Sequence, residues 1–443
     1  MKAIRWTACL LPLLALCLSN AANVAAQDAA AGGSKQPYTM AEYNMYTAAA
    51  NEKNPAAQIK LLDDFASKYP NSALNNYVFP LYYQNYYAQK NFPKAIEYCD
   101  KMIGLGDKIS PTEQYNAYYI RAYAYNSIQN PDVDTSKAAR AAAVAGLKVL
   151  DKTPKPEGTA EDPWLKEKKQ SAVFFNGTAA NAAFQAKDYA GAIVSYKAVL
   201  ASAPDDLVSN FKLGQAYMAA TPPQPLEGLW YYARAATNKS ASEQQSKSLK
   251  SYVRKLMISY QGGTVCDALT DAEVNELLQL APNSVDRPAS YKPVSSADLD
   301  AARKDMTIAS VVTDLKAGGD KAKLTWTAAC GLEFPDVPGK LLEIAAAADT
   351  IELKSAFVTS EAEFDAATTP NMDVVIKKAD QPEAAKLEKN TAPRFTGTLE
   401  SYDPDPAFML HWDKAKVNAE DLPKAGPAKK PPVRKPAPKK PGA

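Results

Sequence analysis

The sequence predicts a mostly α-helical protein, in which a superhelix of paired helices precedes a small C-terminal β module. Two observations carry this prediction. Residues 38–238 contain a self-similar pattern of helix pairs that end at prolines. From about residue 307 the pattern changes to short apolar runs that are typical of strands. A chain of 443 residues is also too long for one compact core, so two folded units with flanking segments fit its length.

The N-terminus has the pattern of a secretory signal. Two cations precede an apolar run over residues 9–18, and small residues then lead to Ala26. We therefore expect residues 1–26 to be a signal peptide that is cleaved near Ala26, followed by a flexible segment over residues 27–37. The residue before Cys17 is a leucine, which argues against lipidation. The protein is expected to be exported, either periplasmic or secreted, without a transmembrane helix.

The clearest copy of the repeat runs from residue 187 to residue 217. A small residue, an aromatic residue and a closing proline mark a second helix, and a glycine and a tyrosine mark the next first helix: Ala192, Tyr196, Pro204, Gly214 and Tyr217. This spacing resembles the tetratricopeptide repeat (TPR) family, and the signal peptide makes it similar to exported bacterial members. The resemblance implies about five stacked helical hairpins between residues 38 and 238.

The remaining segments are assigned from proline content, helical spacing and strand-like runs. A loop rich in proline and glycine at residues 151–163 should break or bend the stack. Further segments are predicted as capping helices over 239–282, a linker over 283–306, a β module over 307–418 and a disordered basic tail over 419–443. The β module is predicted to be a barrel or sandwich, and Gly397 in a late strand resembles the OB-type barrel.

The TPR resemblance implies a groove that binds a partner, because the first helices of successive hairpins line the concave face in that family. Projecting the family's groove positions onto this chain gives an aromatic set with interleaved amides, which suits a protein or peptide segment. The set is Tyr77, Gln84, Tyr87, Asn116, Tyr119, Tyr123, Asn126, Phe174, Asn181, Phe184, Phe211, Gln215 and Met218. The alternative is that these rings are core residues of a tyrosine-rich stack. No set of Lys or Arg accompanies the asparagines, so binding of a chaperone C-terminus is not favoured.

Few residues in the chain can carry out catalysis. His411 is its one histidine and lies in a predicted strand, opposite two apolar neighbours, as an exposed or hydrogen-bonded residue. We therefore expect no enzyme activity, no metal and no cofactor. Cys99 is predicted to be a buried thiol, whereas Cys266 and Cys330 can pair in an oxidising compartment.

Charge separates the tail from the rest of the chain. Residues 424–443 hold seven Lys or Arg and no acid, whereas residues 27–423 carry a net charge of about −7. The acidic body argues against nucleic acid as a partner. The tail can contact anionic envelope surfaces by screened attraction, or it can be a solvated spacer.

These observations favour a non-enzymatic scaffold or adaptor in the cell envelope that binds a protein partner in the groove. Two alternatives stay open. The β module can carry carbohydrate-binding or hydrolytic activity that the repeats deliver, or the repeats can be a structural spacer without a ligand.

Overall fold

The computed structural model describes residues 36–404 and 406–423. The chain divides into two compact units, one ending at Ser242 and one beginning at Glu243. The predicted signal peptide, nearly all of the predicted flexible segment and the tail from residue 424 onward lie outside the described residues.

The first unit consists of paired helices. Ten α-helices follow one another within its described residues: α1 (Met40–Asn51), α2 (Pro55–Lys68), α3 (Asn75–Ala88), α4 (Phe92–Ile103), α5 (Pro111–Ser127), α6 (Val133–Lys152), α7 (Glu161–Gln185), α8 (Tyr189–Ser202), α9 (Leu207–Ala219) and α10 (Pro225–Ala236). Each helix packs against its neighbours in sequence. The first helix α5 also contacts the first helices on either side of it, α3 and α7. The predicted TPR-like arrangement of helix pairs is therefore confirmed.

Side-chain caps set where many of these helices begin. Asp188 Oδ1 accepts a hydrogen bond from the Gly191 amide at 2.9 Å, and Asp206 Oδ1 accepts one from the Ser209 amide at 2.7 Å. Each cap satisfies an amide that has no partner within its helix and is worth about 1 kcal/mol. The starts of α8 and α9 therefore have a direct structural cause.

Close approach of helices α6 and α7 continues the packing across the proline-containing loop. A Cβ atom on Gly146 would lie 2.6 Å from the ring of Phe175, so α6 meets α7 at a point where only glycine fits. The loop itself spans residues 153–160, and α6 and α7 on its two sides pack against each other along their lengths. Stacking therefore continues between the third and fourth helix pairs.

The second unit begins with five α-helices: α11 (Glu243–Tyr260), α12 (Asp267–Leu280), α13 (Ser296–Arg303), α14 (Ile308–Ala317) and α15 (Gly319–Ala329). Helices α11 and α12 occupy the segment predicted to cap the repeats, and they belong to this second compact unit. In α11 the buried positions are Val253 and Met257, whereas Tyr252 is 41% exposed.

The prediction of strands from about residue 307 was wrong for the first part of that segment, which forms helices α14 and α15. Thr307 caps α14 in a reciprocal arrangement with Ser310, and Val311 and Leu315 lie one helical turn apart. Both side chains are buried in the core of the barrel that follows. Helical spacing, and not alternation, therefore determines this stretch.

Five strands close into a barrel after these helices: β1 (Glu333–Ala346), β2 (Thr350–Phe357), β3 (Met372–Lys377), β4 (Arg394–Asp403) and β5 (Met409–Val417), with the short helix α16 (Glu361–Ala366) between β2 and β3. The order around the barrel is β1-β2-β3-β5-β4, in which only the β3–β5 pair is parallel. Of the two predicted forms the module is thus a barrel, and its five strands agree with the OB-type alternative. Its interior is filled by Trp412, Phe334 and Phe395.

A disulfide joins the helical and barrel parts of the second unit. Cys266 stands immediately before α12 and Cys330 immediately after α15, and their Cα atoms lie 5.8 Å apart. The bond closes a loop with a sequence separation of 64 residues. The third cysteine in the described residues, Cys99, is a buried free thiol, as predicted.

Replacing both Cys266 and Cys330 by serine should lower the free energy of unfolding of the second unit. Releasing a loop with a separation of 64 residues gives the unfolded chain additional entropy worth about 4 kcal/mol. Urea unfolding of the oxidised chain and of the double-serine chain measures this difference. The wild-type chain unfolded in reductant serves as the control and should match the variant. Equal stabilities of the oxidised and variant chains would contradict the pairing.

Candidate functional site

The thirteen predicted groove residues all lie on first helices, namely α3, α5, α7 and α9. Asn126 is exposed and the other twelve are partly exposed, so none of them is buried. Their shared exposure matters because the remaining residues of these helices include many that are fully buried. The face they occupy is therefore a surface of the first unit.

Four of these residues from three different helix pairs form one aromatic cluster. Its members are Tyr87 on α3, Tyr119 and Tyr123 on α5, and Phe174 on α7. The ring centroids of Tyr119 and Tyr123 lie 4.8 Å and 4.9 Å from that of Phe174, and those of Tyr87 and Tyr123 are 6.3 Å apart. Each ring supports the next, which pre-orders a half-exposed apolar surface across three hairpins.

Buried side chains hold the aromatic cluster from behind. The Tyr115 hydroxyl and Ser171 Oγ lie 2.8 Å apart and link α5 to α7 in the interior. Phe175 is fully buried and its ring lies 6.0 Å from that of Tyr119. Desolvation raises the pKa of both Tyr119 and Tyr123. The cluster therefore lies partly in the core and partly at the surface.

A second group of predicted residues lies between α7 and α9. The ammonium group of Lys212 lies 4.7 Å from the ring centroid of Phe184, which is a cation–π contact. Gln215 follows Lys212 on the same side of α9, and its side-chain carbonyl oxygen is buried without a hydrogen-bond donor among the described residues. An unpartnered buried oxygen costs stability.

Other predicted groove residues contact their own surroundings instead. The ring of Tyr77 lies 6.0 Å from that of Tyr46, and the ring of Phe211 lies 5.5 Å from that of Tyr232. Met218 packs against Gly228 on α10. The amide of Asn126 donates a hydrogen bond of 2.8 Å to Thr178 Oγ1. Three more remain partly exposed on their helices without any of these contacts: Gln84, Asn116 and Asn181.

Two charged residues at this surface were missed by the sequence reasoning. Glu167 lies on α7 close enough to Tyr119 for its charge to contribute to the raised pKa of that tyrosine. Desolvation raises the pKa of Glu167 and lowers that of Lys212. Neither side chain forms an ion pair with a described residue. The sequence contained a signal only for Lys212, which follows the predicted groove residue Phe211.

Among residues 36–404 and 406–423, no three His, Cys, Asp or Glu side chains are grouped so that they could hold a metal ion. His411 is partly exposed, and its Nε2 atom lies 2.9 Å from Asp403 Oδ2, which confirms a hydrogen-bonded strand histidine. None of the helices described is both long and apolar enough to cross a membrane.

The helix pairs and the barrel define a TPR-like helical-repeat protein with a C-terminal β-barrel. No protein-family model matches the chain, and no curated protein matches it. A solved structure that it resembles is the complex of the yeast Sti1 TPR2AB domain with pHSP90, at 13% sequence identity and a TM-score of 0.17. The match covers 54% of this chain and 95% of that chain. At that score the likeness adds nothing to the class that the helix pairs define.

Replacing Glu167 by glutamine should stabilise the first unit slightly at neutral pH. Because folding raises the pKa of this carboxyl by desolvation, its ionised form opposes folding, and the penalty disappears below the unfolded-state pKa. The stability difference between variant and wild type should therefore be present at pH 7 and vanish near pH 3.5. Urea titrations at the two pH values test this. Glu157→Gln, in the exposed loop between α6 and α7, is the control and should change neither.

Proposed function

We propose that the chain is a non-enzymatic scaffold of the cell envelope that binds a segment of a protein partner along the first-helix face of its repeats. The observation that carries the proposal is the aromatic cluster of Tyr87, Tyr119, Tyr123 and Phe174. Its rings come from three helix pairs, they are half-exposed, and they are fixed from behind by buried side chains. Large rings of this kind provide contact area at low entropic cost when a partner covers them.

The patch between α7 and α9 adds polar recognition to this surface. Lys212 offers a desolvated cation that forms no ion pair with a described residue, and the partly exposed Gln215 lies on the same side of α9. A partner segment with apolar side chains and one acidic group would match both features. We therefore place the rings as the main source of affinity and Lys212 as a source of orientation.

Export to an oxidising compartment is part of the same proposal. A disulfide between Cys266 and Cys330 supports it, because such bonds persist outside the reducing cytosol. The predicted signal over residues 1–26 supports it independently. The basic residues of segment 424–443 would then be available for weak, salt-dependent contact with anionic envelope surfaces.

The alternative of a ligand-binding or hydrolytic β module gains no support from the barrel. Its interior is filled by buried apolar side chains, with Trp412 and Leu353 no more than 1% exposed. A filled small barrel has no room for a substrate between its strands.

Changing Tyr119, Tyr123 and Phe184 together to alanine should abolish specific partner capture, because it removes three of the seven partly exposed rings of the predicted groove. Affinity capture from native envelope extract with mature chain 27–443 measures this, and far-UV circular dichroism checks folding. A partner retained equally by wild type and by the folded triple variant would refute the groove assignment. Because Tyr119 also packs internally, a second variant, Tyr87→Ser with Tyr123→Ser, tests the same surface with less loss of core.

The matched control changes apolar residues on second helices. Val144 on α6 and Val194 on α8 are 40% and 69% exposed. Alanine at both positions removes exposed apolar area from a different face and should leave capture unchanged. If this control lost the partner as completely as the ring variants, the binding surface would lie on the second helices.

A further inference from the structure

Charge is distributed very unevenly along the chain. The described part of the first unit, residues 36–242, holds 19 Asp or Glu and 21 Lys or Arg, which is close to balance. The barrel segment, residues 333–423, holds 18 Asp or Glu and only 9 Lys or Arg. Residues 424–443 follow directly with seven Lys or Arg, six prolines and no acid. A strongly acidic barrel is therefore joined to a strongly basic segment.

The outer surface of the barrel carries a row of charged residues in register. Glu343 on β1 pairs with Lys354 on β2, Lys354 pairs with Asp373 on β3, and Asp373 pairs with His411 on β5. Lys354 Nζ lies 3.1 Å from Asp373 Oδ1, and His411 contacts Asp403. Neighbouring strands are about 4.8 Å apart, so the row forms a continuous band across four strands.

Negative charge prevails on this band. The cation in the row, Lys354, is already held by Asp373, whose hydrogen bond is the largest cause that raises the lysine's pKa, and the charges of Glu352 and Glu343 raise it further. Neither Glu343 nor Glu352 forms an ion pair with a described residue. Glu352 is paired across the sheet with the half-exposed Val375, so apolar surface adjoins the carboxylates. We call this surface the acidic barrel face.

The basic segment fits that face in charge and length. It begins seven residues after Val417, the last residue of β5, whereas the acidic barrel face lies near His411, about 20 Å back along the same strand. Twenty residues of a proline-rich extended chain span about 60 Å, so the segment reaches the face with length to spare. A proline-rich segment loses less conformational entropy on binding than a flexible one. Its prolines could pack against Val375, and its Lys and Arg side chains could pair with the carboxylates.

We propose that residues 424–443 dock on the acidic face of their own barrel, formed by Glu343, Glu352, Asp373 and Asp403. The docked segment holds its cations against the barrel and keeps them from other anionic surfaces. Rising salt screens the attraction and releases the segment. Contact with an anionic envelope surface then competes with the barrel for the same lysines.

Trypsin cleavage of the full chain tests the docking. In the Lys429–Lys430 and Arg434–Lys435 bonds the residue directly after the cleavage point is lysine and not proline, so trypsin can cut both. Their cleavage rates report on access to the segment. At about 20 mM salt both bonds should be cut about fivefold more slowly in the full chain than in a synthetic peptide of residues 424–443, and near 500 mM salt the rates should converge. Equal rates at low salt would overturn the proposal. Protection that disappears on dilution would also overturn it, because a second copy would then supply the face.

Paired substitutions test the face itself. Glu343→Gln with Glu352→Gln should raise the cleavage rate at low salt to that of the free peptide. Glu383→Gln with Glu388→Gln removes the same charge from the connection between β3 and β4 and should leave protection in place. Near-UV circular dichroism confirms that each double variant keeps its packing. An equal effect of both pairs would show that net charge alone attracts the segment, and would reject the acidic barrel face as its site.

Discussion

Close approach of helix backbones is the constraint on which the repeat unit depends. Each helix pair has an apolar side that only the next pair can cover, so small residues must stand where the helices meet. Gly146 admits the ring of Phe175 in this way, and Gly214 admits that of Tyr232. Large rings then fill the spaces beside the crossings. The rings at the edge of this packing extend to the surface, which is how a structural requirement also produces a candidate binding face.

Much of the helical fold could be predicted because its requirements are local in sequence. Ala192, Tyr196 and Gly214 stand at fixed spacings because each packs where its helix crosses the neighbouring helix. Ala192 is fully buried and Tyr196 is 3% exposed, as packing at a crossing requires. The strand runs were similarly visible, and Thr350–Phe357 and Met372–Lys377 both lie within the predicted β module. Helix α14 was missed because its apolar residues face a barrel formed by residues far along the chain.

The candidate site could be predicted only in part. Projection of the TPR groove positions onto this chain indicates which side of α5 or α7 lines the groove, and it gave the rings of Tyr119, Tyr123 and Phe174. It does not indicate whether a charge on that side meets a partner, because the answer depends on the neighbouring helix. Glu167 and Lys212 were missed for this reason. The pairing of Cys266 with Cys330 likewise depends on geometry, since many folds are compatible with a separation of 64 residues.

The disulfide also sets how the second unit would transmit a mechanical load. A pull applied between α12 and the barrel would pass from Cys266 directly to Cys330 through the sulfur atoms. The intervening residues, with helices α13, α14 and α15, would carry none of that tension and would stay folded under it. This covalent bypass shields only the segment between the two cysteines, whereas the barrel and the repeats remain parts that can extend under load.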